Sequence, residues 1–417
     1  MQIKNFKITR IAIVFLAFAV IGCTVDADIP VQEALLPEKP NDVFYMGTTM
    51  DFVAHQEQYG GIVFKEGGVP TDPFKSIADH GANIVRLRVD LPPYSSSFTA
   101  GYPDLDFCSP EKVKIESQRA KNFGLKTFLT FSYQSKALEN DKKLNGAVAP
   151  LAWQPVANDI DKLRDSIYKH TTTVLEDYIN SGLTPEIVSI GNETNIRFCE
   201  PNVSPENLPP YEVVRTVKLL NAGTKAVRDL NKKYNLNIKI ACHIFSVGFL
   251  KTWMKIHIRN GLDFDVMALS HYHQLHSLGD FDNWKQVVAF VRNTYKKDFI
   301  ILETAQIFTD GFKDNARNIL GKNNIPTTYN KKDVTYDMNP PTTNTQRKYL
   351  SDMGKDLYIS GGLGVIYWGG EWVGSNNTLV YPLNVNGNPG STWENAAFWD
   401  FNYNLHDGIN WMKDIVP

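Results

Sequence analysis

The sequence predicts a single (β/α)8 barrel, and three observations carry the prediction. Eight short apolar runs rich in β-branched residues recur along the chain. Helical stretches separate them, and repeated βα units with buried strands imply a parallel sheet. No Gly-x-Gly-x-x-Gly loop follows the first run, as a doubly wound nucleotide-binding sheet would require. A length of 417 residues suits one such barrel, because α/β barrels routinely exceed the usual domain size.

The apolar run 44–47 is the first strand, followed by a helix over 73–80. The second strand, 82–89, holds Arg86 and Arg88 two positions apart and therefore on one face. A helix over 111–123 leads to the third strand, 126–131, and the long amphipathic helix 159–181 leads to the fourth, 187–190. Helix 211–231 precedes strand 238–242, helix 248–260 precedes strand 265–270, and helix 281–295 precedes strand 299–302. A last helix, 345–359, delivers the eighth strand, 364–368. No linker, repeat or low-complexity block interrupts 43–417, so this span is read as one domain.

What precedes it reads as an address. Lys4, Lys7 and Arg10 give a basic start, and the uncharged run 11–21 is too short to span a bilayer, which takes about 20 residues. Val20-Ile21-Gly22-Cys23 resembles a bacterial lipoprotein box, in which the cysteine is acylated. The expectation is a leader over 1–22, lipid on Cys23, and a Pro-rich acidic tether over 23–42. Export and a lipid anchor at the bacterial outer membrane or cell surface follow, with no other membrane contact. The remaining cysteines, Cys108, Cys199 and Cys242, fit no zinc spacing.

Lys+Arg total 43 against 45 Asp+Glu, so the chain lacks the basic excess that a nucleic-acid partner would need. Aromatics at 12% suit sugar rings as well as a plain core. A barrel places its chemistry at the C-terminal ends of its strands. There strand four ends in Gly191-Asn192-Glu193 and strand seven in Leu302-Glu303-Thr304. A carboxylate at the mouth is costly to desolvate without partners, so two of them point to function. Glycoside hydrolysis needs such a pair, one to protonate the leaving oxygen and one to meet the developing oxocarbenium ion. A cation should hold the ionised member, and Arg86 or Arg88 could do so. Asn192-Glu193-Thr194 also spells a glycosylation sequon, a reading discounted behind a bacterial leader.

These strand ends resemble clan A of the glycoside hydrolases. Four further stretches narrow the resemblance to glycoside hydrolase family 53, the endo-β-1,4-galactanases. They are residues 81–88, Leu269-Ser270-His271-Tyr272, Val365-Ile366-Tyr367-Trp368 and residues 391–398. The resemblance implies Glu193 as acid/base, Glu303 as nucleophile, and Asn192 as a contact to the sugar 2-hydroxyl. It places His243 and Tyr272 beside them. Trp153, Trp368 and Trp372 are candidate sugar platforms, with Trp368 first because it ends a strand. A retaining endo-galactanase acting as a monomer on a polysaccharide, without cofactor or metal, is expected.

Departures from the family pattern fall at the cleft. Thr49 stands where Asp is usual, Ser132-Tyr133-Gln134-Ser135 replaces His-Tyr-Ser-Asp, and Gly369-Gly370 replaces Glu-Pro. Some members bind calcium after strand seven. Here Asp310, Asp314 and Asp333 occupy that loop without a calcium-loop spacing. Another clan A β-glycanase and a non-catalytic glycan-binding lipoprotein stay open as alternatives.

Overall fold

The computed structural model describes residues 43–91, 108–134, 147–195, 197–321, 340–381 and 389–415. The expected leader over 1–22, Cys23 and the tether over 23–42 lie outside them, as do Ser135 and Asp333. No helix among the described residues is long and apolar enough to cross a membrane.

Eight parallel strands close a barrel. They are β1 (Tyr45–Thr49), β2 (Ile84–Val89), β3 (Lys126–Phe131), β4 (Ile187–Ile190), β5 (Lys239–Phe245), β6 (Val266–Ser270), β7 (Asp298–Glu303) and β8 (Gly364–Tyr367). Because β1 pairs with both β8 and β2, the sheet has no free edge. Parallel neighbours require crossovers, and helices supply them. These are α1 (Val53–Gly60), α2 (Pro73–Asp79), α3 (Pro110–Asn122), α4 (Ile160–Asn180), α5 (Val213–Tyr234), α6 (Leu250–Arg259), α7 (Trp284–Ala289) and α8 (Thr343–Ile359).

Every expected strand is found in place. The sequence did not announce α1 or the two-residue hairpin Lys65–Glu66 with Val69–Pro70. The helix expected over 281–295 is shorter, and a π turn, Phe290–Thr294, takes over from α7. Local rules explain the well-predicted elements. Asp159 caps α4 by accepting the Lys162 N–H, and Leu163, Ile167, Val174, Leu175 and Tyr178 bury one stripe. Thr342 and Thr345 form a reciprocal cap on α8.

Along the strands alternate residues divide between two cores. Ile84, Phe128, Ile187, Ala241, Val266, Ala268, Ile300 and Ile366 fill the barrel, while Val85, Leu129, Val188 and Ile301 pack outward under the helices. Two residues further along, the inward positions turn polar: Arg86 and Arg88 on β2, Thr130 on β3, His243 on β5, Ser270 on β6. One strand breaks the alternation. Leu269 pairs with Ile301, but Ser270 pairs with Glu303, so β7 carries one extra residue there. Leu302 belongs to the inner core and Glu303 also reaches the interior. Bulges commonly re-aim a side chain in this way beside active sites.

The loops after β7 and β8 are joined by buried carboxylates. Asp314 accepts N–H donors from Ala316, Ser375 and Ser391. Glu394 accepts them from Lys313 and Asp314. Asp314 is thus a strut whose oxygens already hold three backbone donors, and Asp310 is exposed. Burial and the charge of Asp314 push the Glu394 carboxyl up to about 7. Asp314→Ala would leave the Ser391 and Ala316 N–H groups buried without their acceptor. We expect it to lower stability by about 1–3 kcal/mol, read from a shifted denaturation midpoint. An unmoved midpoint would remove the strut role.

Candidate active site

The segment after β4 sets the first carboxylate. Gly191 is left-handed at φ 84°, and a Cβ there would meet Thr194 Cγ2 at 2.4 Å, so only glycine fits. Glu193 is itself left-handed at φ 50°, a conformation that costs a non-glycine residue about 1–3 kcal/mol and collects at functional sites. The segment is pinned from behind. Thr194 donates its N–H to the His243 carbonyl, and Asn195 makes two 2.7 Å hydrogen bonds with the Phe245 backbone. Asn192 and Glu193 are half-buried and face the mouth.

Glu303 meets them from β7. One oxygen each of Glu193 and Glu303 and one nitrogen of His243 lie within 4.8 Å of one another. Glu303 is 6% exposed, with Arg86 Nη1 at 2.5 Å on one oxygen and the Tyr272 hydroxyl at 2.8 Å on the other. Burial alone would raise its pKa. The Arg86 charge and the hydrogen bonds from Arg86 and Tyr272 outweigh burial and hold it at about 2. Tyr272 is pushed well above its ordinary value by burial and by the Glu303 charge, so its hydroxyl stays a donor.

Arg86 organises the centre. Its Nη2 donates to Asn192 Oδ1 at 2.5 Å and its Nε to Thr130 at 3.1 Å. With Asn192 Oδ1 occupied, the amide NH2 remains to donate to a ligand. Gln134 donates to the Asn192 carbonyl at 3.0 Å. Ser270 donates to Glu193 Oε1 at 2.7 Å and lies 2.8 Å from His243 Nε2. Burial pushes His243 down to about 3, so its ring is neutral and positions Ser270 as a hydrogen-bonded spacer. Ser270 was missed as a site residue, although its place in register with Glu303 marks it.

Glu193, Glu303 and His243 stand at a spacing that could hold a metal. The Arg86 guanidinium already neutralises Glu303, and His243 Nε2 is engaged by Ser270. The donor set therefore suits a hydrogen-bonded acid pair better than a cation.

The other expected residues divide. Trp368 lies at the mouth, with the guanidinium carbons of Arg86 and Arg88 at 5.6 Å and 4.8 Å from its ring centre. Trp372 is buried behind it, its ring 5.8 Å away and tilted by 38°. Arg88 does not reach the carboxylate pair through any observed hydrogen bond; it binds Asp51 at 2.5 Å beneath Trp368. Of the two cations that could hold the ionised carboxylate, Arg86 does so, while Arg88 is buried against Asp51. Trp153 also belongs elsewhere. It packs 6.0 Å from Tyr133 and from His170 under α4, whereas Trp368 lies over the Arg86 guanidinium that holds Glu303.

The departures at the cleft compensate one another. Thr49 Oγ1 donates to Glu371 and accepts the Gly369 N–H. A Cβ at Gly370 would meet Thr48 Oγ1 at 2.5 Å, so the glycine pair lets β1 approach. Glu371 is fully buried, and burial followed by the Asp51 charge pushes its carboxyl far above the usual range.

Paired carboxylates across a closed parallel barrel are the arrangement of a glycosidase, and the family model described as "Glycosyl hydrolase family 53" matches residues 45–412. The chain belongs to glycosyl hydrolase family 53. An arabinogalactan endo-β-1,4-galactanase of Cellvibrio japonicus is 32% identical over 362 residues, covering 86% of this chain and 87% of the relative. An endo-β-1,4-galactanase of Bacillus subtilis is 26% identical, covering 81% and 72%. The solved family 53 catalytic domain from Ignisphaera aggregans superposes with a TM-score of 0.72 at 25% identity, covering 92% of this hydrolase and 98% of that chain.

Proposed function

We propose that this family 53 hydrolase cleaves β-1,4-galactan internally and with retention, using Glu303 as nucleophile and Glu193 as acid/base. The observation that carries the reading is that one oxygen of Glu193 and one of Glu303 lie within 4.8 Å of each other. Retaining pairs stand about 5–5.5 Å apart, whereas inverting pairs need about 6.5–9.5 Å to admit a water between them. The names of the curated relatives support galactan as substrate.

In the first step Glu303 attacks the anomeric carbon as the glycosidic C–O bond breaks. The Glu193 proton goes to the departing oxygen. In the second step Glu193 takes a proton from water, the oxygen of that water bonds to the anomeric carbon, and the ester to Glu303 breaks. Atoms balance with water as the sole co-reactant, so no redox cofactor is required. Asn192 is positioned to donate to the 2-hydroxyl, a contact that strengthens as charge develops on the ring. Trp368 offers its face to the sugar on the nucleophile's side. Arg86 and Tyr272 keep Glu303 ionised and oriented.

The same reading takes the chain as an exported monomer held to a bacterial membrane by lipid on Cys23, with residues 23–42 as the tether. The basic, apolar and cysteine order of the leader supports export and the anchor. The test of function is direct. Purified protein with β-1,4-galactan should release oligosaccharides whose first-formed reducing ends are β by NMR. First products in the α form would replace retention with inversion, and binding without products would favour the glycan-binding alternative.

A further inference from the structure

We infer that Phe249, Phe245 and His276 form the platform for the leaving-group sugar, on the acid side of the cleft. This inference rests on the hydrolase reading above and adds a binding surface to it.

Phe249 is 44% exposed, although it is a large aromatic residue at the mouth of the barrel. It follows Ser246, whose left-handed backbone at φ 62° turns the chain out of β5. Its ring meets that of Phe245 at 5.2 Å and 67°. Phe245 has the same strand parity as His243, so its side chain stands one pleat above His243 on the inner face. It pairs in register with Ser270, the donor to Glu193. His276 lies 6.2 Å from Phe245 and 6.0 Å from Tyr272, which closes the patch against the reacting centre.

The side of the cleft follows from the chemistry. β4 and β7 carry the acid and the nucleophile, and they divide the rim into two arcs. One arc, through β8, β1, β2 and β3, carries Trp368 beside Arg86, the partner of the nucleophile. The other, through β5 and β6, carries Phe245, Phe249 and His276. The proton from Glu193 must reach the oxygen of the departing sugar, so that sugar lies on the Glu193 side. Asn195, two residues from Glu193, is hydrogen-bonded to Phe245 through both ends of its amide. The exposed Phe249 ring, set edge-to-face on a half-buried Phe245 fixed to the acid loop, matches the C–H face of a galactosyl unit.

The experiment compares two substrates on the full chain. β-1,4-Galactotetraose places sugars on both sides of the cut, whereas β-galactobiosyl fluoride leaves as fluoride and places none on the acid side. Phe249→Ala should lower the ratio of kcat/KM on the tetraose to kcat/KM on the fluoride about tenfold, and Phe249→Tyr should restore it. Phe249 is exposed, so the substitution leaves the core packing intact. An unchanged ratio with an active parent enzyme would overturn the inference. A parent that hydrolyses neither substrate would overturn the hydrolase reading itself, and the platform with it.

Discussion

Glu303→Ala should abolish galactan hydrolysis, with a fall in kcat of about 10^4-fold or more, because the covalent step has no other nucleophile. Added azide should restore turnover through the space the carboxylate vacates. The azide would then attack from the nucleophile's side and give an α-galactosyl azide. Glu193→Ala treated in the same way should give the β-azide, since azide then intercepts the Glu303 ester from the opposite face. The two products distinguish the roles in a way that loss of activity alone would not. The same anomer from both variants would undo the assignment.

Arg86→Met should be the second most damaging change. Arg86 is fully buried and holds both Glu303 and Asn192. Its removal leaves a carboxylate in the barrel without a counter-charge, a loss that typically costs about 3–5 kcal/mol. The carboxyl can escape that cost by taking up a proton. In the native enzyme its pKa of about 2 lies below the unfolded value, so ionised Glu303 stabilises the fold above the unfolded pKa. That stabilisation is lost as pH falls through about 2. Without Arg86, burial dominates and the folded pKa rises above the unfolded one. Stability is then retained at low pH and lost as pH rises. Two measurements follow. The acidic limb of kcat/KM should move to higher pH with at least about a hundredfold loss at neutrality, and the denaturation midpoint should fall more at pH 7 than at pH 4. An acidic limb that does not move would exclude Arg86 as the group that keeps Glu303 charged.

The barrel was legible because its strands are buried on both faces and stand out as apolar runs between helices. Glu193 and Glu303 were legible because a strand end in a barrel has a known address. Arg86 was legible as one of a pair, but the pair itself could not be split from the sequence. Arg88 shares the parity of Arg86 and differs only by one pleat of height, which places it against Asp51 rather than Glu303. Ser270 was hidden for a similar reason. A small hydroxyl residue in a strand reads as filler until its register neighbours are known. Trp153 shows the opposite error, in which a ring suited to stacking on sugar stacks on Tyr133 and His170 instead. The hydrogen bond from Thr49 to Glu371 joins segments from both ends of the domain, and only closure of the sheet brings them together.

The extra residue in β7 makes the reaction depend on strand register as well as on residue identity. Were β7 to run on at the same length without that bulge, the same glutamate would stay in phase with Ile301 and turn toward the helices, leaving Arg86 without its carboxylate partner. The same residues in a different register would thus lose the site, whereas a gap that removes the extra residue would leave a regular strand whose glutamate still faces Arg86.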